Sequence, residues 1–391
     1  MISLAEALHR VLTLAQPVDV ETVPLHQALG RFTAKSVAAA RSQPARDISA
    51  MDGYAVRAAD GIKRRRVIGE SAAGAPFTGT VQDNDAVRIF TGAALPEGAD
   101  CVVIQENVER LGDEISFSQS EPLSPGANIR PKGADFLTGD MLVERGQPLT
   151  AARIGLLAAA GHASVNVRRP VRVAMLSTGN ELVPIGIEAG PDKLPASNAL
   201  MLAALLVDLP AIVDDLGIAS DSVVAIADRI SAVPQADIVV TIGGASVGDY
   251  DLVQPALRHL GAQVDFWKVA VRPGKPLLAG RLGTQIILGL PGNPVSAYVT
   301  ALLFLKPLVA YLSGAEAPLP TTMRYPLATG LPANGSRTDH LRAMIEIDGI
   351  KPLSSQDSAG LAALAKADGL IVRQPNAPPV VAGEIVDVIL L

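Results

Sequence analysis

Residues 171–312 alternate short apolar runs with longer amphipathic segments, and this alternation limits the possible folds more than any other feature. Apolar runs rich in β-branched residues predict buried strands, and helical periodicity between them predicts helices. Because parallel strands need a crossover connection, the alternation predicts a parallel sheet with helices on both faces. The predicted strands are residues 171–176, 238–242 and 286–290, and the predicted helices are residues 197–209, 252–260 and 295–312.

A polar loop follows each of these predicted strands. Loops at the carboxyl ends of parallel strands line the ligand crevice of an α/β sheet, so we expect the three loops to converge. One such loop alone is more often ordinary turn chemistry, but three at successive strand ends favour a binding site. The loops are Ser177-Thr178-Gly179-Asn180-Glu181, residues 243–251 and residues 291–296.

The second and third loops have features of phosphate-binding loops. Glycines at 243, 244 and 248 permit positive φ and close backbone approach, so consecutive N–H groups can surround a phosphate. In the third loop, Asn293 can cap a helix with Pro294 at its first position. This arrangement would leave the amides of Val295 and Ser296 free for an anion.

Charged side chains add to these loops. Glu181, Asp249 and Asp251 offer hard oxygen atoms that suit Mg²⁺ bridged to phosphates, although Asp251 alone could simply cap its helix. Residues 272–276, Arg-Pro-Gly-Lys-Pro, lack the spacing of a Walker A loop. Lys275 within them is a candidate for clamping an anion, the alternative being a solvated loop lysine. The expected ligand is a phosphorylated organic molecule with a metal.

The rest of the chain predicts further domains. A length of 391 residues allows two to four domains at about 150 residues each. Residues 3–16 predict an amphipathic helix with Ser3 as its N-cap, and residues 150–161 predict another helix. Short apolar runs between turn residues predict a β-rich unit at 44–146. The Pro-rich residues 317–320 predict a linker before a small β-rich terminal unit.

Charge and apolar content argue against several classes of protein. The chain has 33 basic and 39 acidic residues, a formal net charge of −6, which argues against nucleic-acid binding. The basic run Lys63-Arg64-Arg65-Arg66 is interpreted as a solvated loop. The first residues lack the pattern of a signal peptide, and no stretch of about 18 apolar residues is uninterrupted. We therefore expect a cytoplasmic protein with no membrane segment.

Cysteine, histidine and glycine patterns exclude other kinds of site. The one cysteine, Cys101, lies in the apolar run 101–104 and predicts a buried, inert thiol; it excludes an intramolecular disulfide and a multi-cysteine zinc site. The five histidines show no metal-ligand spacing. The pattern GxGxxG does not occur, which disfavours dinucleotide oxidoreductases.

A series of motifs, in order along the chain, resembles the molybdopterin molybdotransferases, the molybdenum insertases related to the gephyrin E domain. The resemblance runs from the first helix to about residue 312 and is weak past residue 320. Its motifs are Ser-Ala-Met-Asp-Gly-Tyr-Ala at 49–55, Thr-Gly-Ala with Pro-Glu-Gly-Ala-Asp in 91–100, Asn-Ile-Arg at 128–130, Ser-Thr-Gly-Asn-Glu at 177–181, Gly-Gly-Ala-Ser-Val-Gly at 243–248, Arg-Pro-Gly-Lys-Pro at 272–276 and Leu-Pro-Gly-Asn-Pro-Val-Ser at 290–296.

The resemblance implies a multidomain α/β plus β fold. The expected parts are a discontinuous linker or helical domain (1–43 and 147–170), a β-rich inserted domain (44–146), a central parallel-sheet α/β domain of the molybdopterin-binding type (171–316) and a small β-rich C-terminal domain (317–391). It also implies an elongated homodimer whose cleft lies between the α/β domain of one subunit and the β-rich region of the other. The implied reaction takes molybdate and adenylylated molybdopterin, with Mg²⁺ or a similar divalent cation, to molybdenum cofactor and AMP.

The resemblance also implies roles for individual residues. Glu181, Asp249 and Asp251 would position the metal, and Asp52 from the partner subunit would orient molybdate or the dithiolene. The residues expected to be catalytic are Asp52, Thr91, Glu181, Asp221, Asp251 and Lys275. The residues expected to bind pterin or nucleotide phosphates are Arg130, Asp135, Ser177, Thr178, Gly179, Gly243, Gly244, Ser246, Gly248, Arg272, Pro291, Gly292, Asn293, Pro294 and Ser296.

Three positions depart from the pattern of the family. Asn180 stands where aspartate is frequent, Ala196 where a carboxylate is frequent, and Arg272 where lysine is frequent. The missing carboxylates weaken any exact assignment of metal ligands, and arginine changes the hydrogen-bond geometry. Two other functions stay open: a molybdopterin adenylyltransferase, which shares the α/β domain, and a non-catalytic molybdopterin-binding scaffold. The β-rich insertion and the terminal domain favour the transferase.

Overall fold

The computed structural model describes residues 1–118, 122–188, 190–244 and 252–391. The chain begins with the predicted helix, and the hydroxyl of Ser3 accepts a hydrogen bond from the Glu6 N–H at 3.1 Å. The Glu6 carboxylate forms an ion pair with Arg10 (2.7 Å) one turn further on. The first elements are α1 (Leu4–Thr13), β1 (Val20–Pro24) and β2 (Val37–Ala38).

The predicted β-rich unit forms a six-stranded mixed sheet. In the order β7-β4-β6-β5-β9-β8, its strands are antiparallel except for the pair β5 and β6. The unit contains β3 (Ile48–Ser49), β4 (Gly53–Val56), β5 (Arg65–Ser71), β6 (Asp85–Ile89), β7 (Cys101–Ile104), β8 (Val108–Leu111), β9 (Glu114–Phe117) and β10 (Ile129–Arg130).

Lys63 and Arg64 lie in a solvated loop, as interpreted, but that interpretation was wrong for Arg65. The Arg65 side chain is buried, forms an ion pair with Asp60 at 2.8 Å and lies over the ring of Phe117. A charge run has no periodic apolar signal, so the sequence could not show that its third residue begins strand β5 and points inward.

Cys101 is the first residue of β7, an edge strand of this sheet, and is 1% exposed. Burial raises the pKa of its thiol to about 11, with a further contribution from Asp100. We expect native Cys101 to react with a thiol reagent at pH 8 roughly a hundredfold more slowly than the unfolded chain, because the thiolate fraction falls with the raised pKa. The absorbance change with a chromogenic disulfide reagent, followed with and without guanidinium, measures the rates of the unfolded and the native chain. Equal rates would contradict the burial of Cys101.

The chain then returns to the part that begins it. Strand β12 pairs antiparallel with β1, and β11 pairs antiparallel with β2, around a separate small apolar cluster that includes Val23, Leu149 and Leu157. Thr150 caps the predicted helix by accepting a hydrogen bond from the Arg153 N–H. The elements are β11 (Met141–Val143), α2 (Ala151–Ala159) and β12 (Ser164–Arg168).

The α/β region has a six-stranded sheet in the order β16-β13-β17-β21-β20-β18. Its elements are β13 (Val171–Thr178), β14 (Leu182–Val183), β15 (Leu194–Pro195), α3 (Ser197–Leu205), β16 (Ala211–Ala219), α4 (Val223–Ser231), β17 (Ile238–Ile242), α5 (Val253–His259), β18 (Gln263–Trp267), β19 (Val271–Arg272), β20 (Leu278–Leu282), β21 (Gln285–Leu290), α6 (Pro294–Thr300) and α7 (Lys306–Leu312).

The three predicted strands are parallel as expected, β16 is a fourth parallel strand that was not predicted, and the prediction of a parallel sheet is wrong at one edge. Strands β16, β13, β17 and β21 are parallel, whereas β20 and β18 join the sheet antiparallel. The short turn around Gly283 connects β20 directly to β21, and a hairpin requires antiparallel strands. The sequence signal at 278–282 was too short and too interrupted by glycine and arginine to predict this strand.

The apolar segment Pro294–Leu312 forms one helical run, with a π-helical stretch at Ala301–Leu305 between α6 and α7. Its length and its mean hydropathy of 1.7 meet the requirements of a membrane span, yet 83% of it is buried inside the protein. The segment supplies the largest apolar cluster, to which Ala7 and Val11 of α1 also belong. Helix α1 therefore shares the core of the α/β region, and the inferred domain boundaries stay a prediction.

The C-terminal region contributes antiparallel strands to a third six-stranded sheet, which is joined to the α/β region. Strand β19 of the α/β region pairs with β23, and Leu364, Leu370 and Ile389 belong to the core cluster of the α/β region. The elements are β22 (Met323–Pro326), β23 (Thr338–Glu346), β24 (Gly349–Pro352), α8 (Leu361–Leu364), β25 (Gly369–Arg373) and β26 (Ile385–Leu390).

His340 lies at this junction, 2% exposed, and burial lowers its pKa to about 4. The unfolded chain binds this proton near pH 6.5, so stability is complete above that pH and falls as the pH drops from 6.5 to 4. We expect a loss of roughly 3 kcal/mol over this window. Burial raises the pKa of Asp339, so protonation of this carboxyl favours the folded state and opposes the loss of stability at the low-pH end of the window.

Urea unfolding of the wild type and of His340→Gln at pH 7 and pH 4.5 measures the difference. The variant should lose less free energy of unfolding than the wild type between the two pH values, because its amide does not titrate. The comparison cancels the contribution of Asp339. Equal losses would mean that His340 does not carry the pH dependence.

Candidate functional site

The first polar loop begins where β13 ends. Ser177 and Thr178 are the last residues of this strand, and both are buried. Gly179 follows with φ +149°, and a Cβ at this position would overlap the carboxylate of Glu181. The Glu181 side chain therefore folds back over Gly179, although the residue as a whole is exposed.

The described parts of the three predicted loops converge, as their positions after parallel strands predicted. A Cβ on Gly243 would lie 2.5 Å from the carbonyl oxygen of Thr178, and one on Gly292 would lie 3.5 Å from the Cα of Gly243. Gly243 and Gly244 have φ of +101° and +61°. Only glycine permits backbone this close together at these angles, so the three loops form one cradle.

One hydroxyl in this cradle has no protein partner. The Oγ1 atom of Thr178 is buried and accepts or donates no hydrogen bond among the described residues. It lies 3.0 and 3.2 Å from the positions that Cβ atoms on Gly243 and Gly244 would take. A buried hydroxyl without a partner costs free energy, so a polar group of a ligand beside the glycines would satisfy it.

Asn180 and Asp221 tie the loop after β13 to the loop after β16. The Asn180 N–H donates to the Asp221 carboxylate, and the Asp221 N–H donates to the Asn180 side-chain carbonyl, both at 3.1 Å. Lys193 donates to the carbonyl oxygen of Asn180 at 2.7 Å. The side-chain oxygen of Asn180 thus accepts one of these hydrogen bonds. The catalytic role expected for Asp221 stays a prediction.

The third loop differs from its prediction in one respect. Asn293 is the N-cap of α6 and Pro294 its first residue, as expected, but the Asn293 side chain donates to the hydroxyl of Ser358 instead of capping the helix. The N–H of Val295 donates to the carbonyl oxygen of Ser358 at 3.0 Å, so it is not free for an anion. A contact from 63 residues further along the chain leaves no signal in the local sequence.

The other residues of this loop are fixed from both sides. Asn198 at the start of α3 donates to the carbonyl oxygen of Gly292 at 2.7 Å. Pro291 and Ser296 are buried, whereas Gly292 and Asn293 are exposed. The exposed tip of the loop, next to Gly243, is therefore the part that a ligand can reach.

Arg272 is the last residue of β19, and Lys275 lies in the loop that follows this strand. Arg272 forms an ion pair with Asp339 of β23, a carboxylate whose side chain is 4% exposed and whose pKa burial raises. The ammonium group of Lys275 is exposed and makes no ion pair with any residue that the structure describes. Of the two cations, only Lys275 has no ion-pair partner among the described residues.

Asp52 and Thr91 form a second group on the inserted sheet. The Asp52 carboxylate accepts hydrogen bonds from the Thr91 N–H at 2.7 Å and from its hydroxyl at 2.9 Å. These two bonds lower the pKa of Asp52, with a smaller effect of Arg88. Asp52 is exposed at the surface, so it presents a fixed anionic group to whatever faces this sheet.

Arg88 was missed by the sequence reasoning. Its guanidinium donates to the carbonyl oxygen of Gly53 at 3.0 Å and to Gln105 at 2.7 Å, and it lies over the rings of Tyr54 and Phe90. It therefore fixes the strand next to Asp52. Its position in the alternating run 86–90, with apolar neighbours on both sides, was the only available signal.

The remaining predicted residues fall into two classes. Arg130 pairs in register with Ile48 at the edge strand β10, and the Asp135 N–H donates to Gln43; both side chains are exposed. Ser246, Gly248, Asp249 and Asp251 lie outside the described residues. Within the described ranges, no three carboxylate, histidine or cysteine side chains cluster as metal ligands.

Comparisons with known proteins identify the parts of this chain. The MoeA N-terminal region (domain I and II) matches residues 2–161, a probable molybdopterin binding domain matches residues 174–311, and the MoeA C-terminal region (domain IV) matches residues 324–391. The resemblance in sequence motifs was weak past residue 320, yet the family model of the MoeA C-terminal region matches residues 324–391.

Relatives cover most of the chain. The molybdopterin molybdenumtransferase of Haemophilus influenzae is 40% identical over 320 residues, 81% of this chain and 79% of that protein. The protein of the same name from Nostoc sp. is 37% identical over 371 residues, 90% of this chain and 85% of that protein.

Solved structures agree with the whole fold. Two crystal structures of the molybdopterin biosynthesis MoeA protein from Pyrococcus horikoshii cover 100% of this chain, with TM-scores of 0.85 and 0.87 at 31% and 26% identity. The matched regions are 99% and 100% of the chains in those two structures. The chain therefore belongs to the MoeA family, the family of the molybdopterin molybdenumtransferases.

Proposed function

We propose that this protein is a molybdopterin molybdotransferase that inserts molybdate into adenylylated molybdopterin and releases AMP. The observation that carries the proposal is the glycine cradle formed by Thr178, Gly243 and Gly292. The buried Thr178 hydroxyl has no partner among the described residues, and Gly292 is exposed to an approaching phosphorylated ligand. Membership of the MoeA family supports the choice of a molybdopterin substrate.

The reaction breaks a phosphoanhydride bond, which requires alignment and neutralisation of negative charge more than covalent chemistry. The backbone at Gly243 and Gly244 would receive a phosphate, and the hydroxyl of Thr178 would hydrogen-bond to it. Lys275, which has no ion-pair partner among the described residues, would add a positive charge. Ser177, Gly179 and Pro291 would shape the walls of this cradle.

Glu181 fits a divalent cation held partly by the substrate. Mg²⁺ is usually bound through one or two carboxylates plus substrate phosphates and waters, and Glu181 is an exposed carboxylate beside the cradle. Glu181 would hold the ion, with Asp249 and Asp251 as further proposed ligands. When bound, the cation would stabilise the charge that develops on the phosphate oxygens.

Asp52 and Thr91 lie on a different sheet from the cradle, and a homodimer would explain their place in the site. We propose that the inserted sheet of one subunit faces the cradle of the other, so that Asp52 orients molybdate or the dithiolene. Arg130 and Asp135 would line the same face. A cytoplasmic location, without nucleic-acid or membrane partners, belongs to this proposal.

Incubation of the purified protein with adenylylated molybdopterin, molybdate and Mg²⁺ tests the function. We expect AMP release that depends on molybdate, followed by chromatography. Absence of molybdate-dependent AMP would refute the transferase. Adenylylation of molybdopterin from ATP would instead identify an adenylyltransferase, and binding without either reaction would identify a scaffold.

A further inference from the structure

A serine of the C-terminal region makes two hydrogen bonds to the third loop of the cradle. The Ser358 hydroxyl accepts a hydrogen bond from the Asn293 side-chain amide at 3.0 Å. The carbonyl oxygen of the same residue accepts one from the Val295 N–H, also at 3.0 Å. Asn293 neighbours Gly292, the residue of this loop that touches Gly243. Ser358 thus contacts the third loop directly, without belonging to the α/β region.

The segment that carries Ser358 is firmly attached to β23. The Arg342 N–H donates to the side-chain oxygen of Gln356 at 3.0 Å, and the Gln356 amide donates back to the Arg342 carbonyl oxygen at 2.9 Å. The Arg342 guanidinium, which is almost fully buried, donates to the carbonyl oxygen of Gly360 at 3.1 Å. Bonds on both sides of Ser358 therefore fix its position.

The C-terminal region is also packed against the helix that follows the third loop. Helix α8 contacts α6, and Leu364 of α8 is buried in the core of the α/β region. Apolar burial of this kind makes relative movement of the two parts costly. Ser358 consequently offers the loop a rigid anchor, as a residue supporting a binding site should.

We propose that Ser358 is a positioning residue, which holds Asn293 and thereby the tip of the third loop in the conformation that binds the phosphorylated substrate. It acts through Asn293 and does not touch the substrate. This inference rests on the proposed function, since it names the residue of the C-terminal region that completes the same site.

Steady-state kinetics of Ser358→Ala test the inference. Loss of one hydrogen bond should raise KM for adenylylated molybdopterin about three- to tenfold and leave kcat within about twofold. Ser358→Thr, which keeps the hydroxyl, should restore KM. Ser354→Ala is the matched control, because Ser354 is an exposed serine of the same segment and should leave both constants unchanged.

A double variant separates positioning from general stabilisation. If Ser358 acts through Asn293, then Ser358→Ala should change KM no further in an Asn293→Ala background. An unchanged KM in Ser358→Ala, or an undiminished effect in that background, would overturn the inference.

Calorimetric titration with AMP gives a readout that does not need turnover. Ser358→Ala should bind AMP more weakly than Ser354→Ala. If the wild type releases no AMP in the assay, the proposed function fails, whereas the AMP titration still decides the positioning role. Equal AMP affinities of the two variants, or no binding of AMP by the wild type, would overturn it.

Discussion

Gly243→Ala is expected to lower the rate of AMP release about a hundredfold, because displacement of a site by about 1 Å has an effect of this size. The new Cβ would lie 2.5 Å from the carbonyl oxygen of Thr178 and 3.0 Å from its hydroxyl. A backbone carbonyl cannot rotate away as the end of a long side chain can. The two loops must therefore move apart, and the cradle loses its shape.

Stability should fall as well, by ~2–4 kcal/mol, from positive φ strain and overpacking together. Gly217→Ala is the matched control. Gly217 also has positive φ (+75°), lies in β16 of the same sheet and has open space where a Cβ would stand. The Gly217→Ala variant should lose only ~1–2 kcal/mol of unfolding free energy from strain and keep its activity. Full activity of Gly243→Ala would show that the cradle is not the substrate site.

Glu181→Gln is expected to lower AMP release about a hundredfold, comparable with removal of one preorganised electrostatic group from an active site. Glutamine keeps the size of the side chain and removes the charge that the proposed cation requires. The Mg²⁺ concentration for half-maximal activity should rise in parallel. Both quantities are measured in the AMP assay over a series of Mg²⁺ concentrations.

The melting temperature of Glu181→Gln should stay close to that of the wild type, because the residue is exposed and forms no ion pair among the described residues. Glu188→Gln is the control, a second exposed carboxylate on the segment after β14. It should retain both activity and Mg²⁺ response. Unchanged kinetics in Glu181→Gln would exclude this residue as a metal ligand.

Local sequence predicted the elements whose signals lie within a few residues. Ser3 and Thr150 cap their helices, and the strand 238–242 occurs where its β-branched run predicts it. Convergence of the loops at 177–181, 243–244 and 291–293 was also predictable. Parallel strands place their carboxyl ends together, so a regular repeat of strand and loop contains that information.

Contacts between distant segments were not predictable in this way. Periodicity cannot show that Ser358 accepts the hydrogen bond of the Val295 N–H, that Asp339 pairs with Arg272, or that the Arg65 side chain is buried against Asp60. Each of these contacts joins residues from different elements, and a polar side chain gives the same local signal whether it is solvated or paired.

Sequence alone determined the family, the strands at 171–176, 238–242 and 286–290 and the glycines of the cradle, because each depends on residue types at fixed short spacing. Only the tertiary structure decided which donors and charges of the site are left for a ligand. Of the predicted anion binders, Lys275 and the Thr178 hydroxyl remain without protein partners among the described residues, whereas the Val295 amide and Arg272 do not. Whether a polar group is free depends on what packs against it, and in this chain the C-terminal region makes that contact.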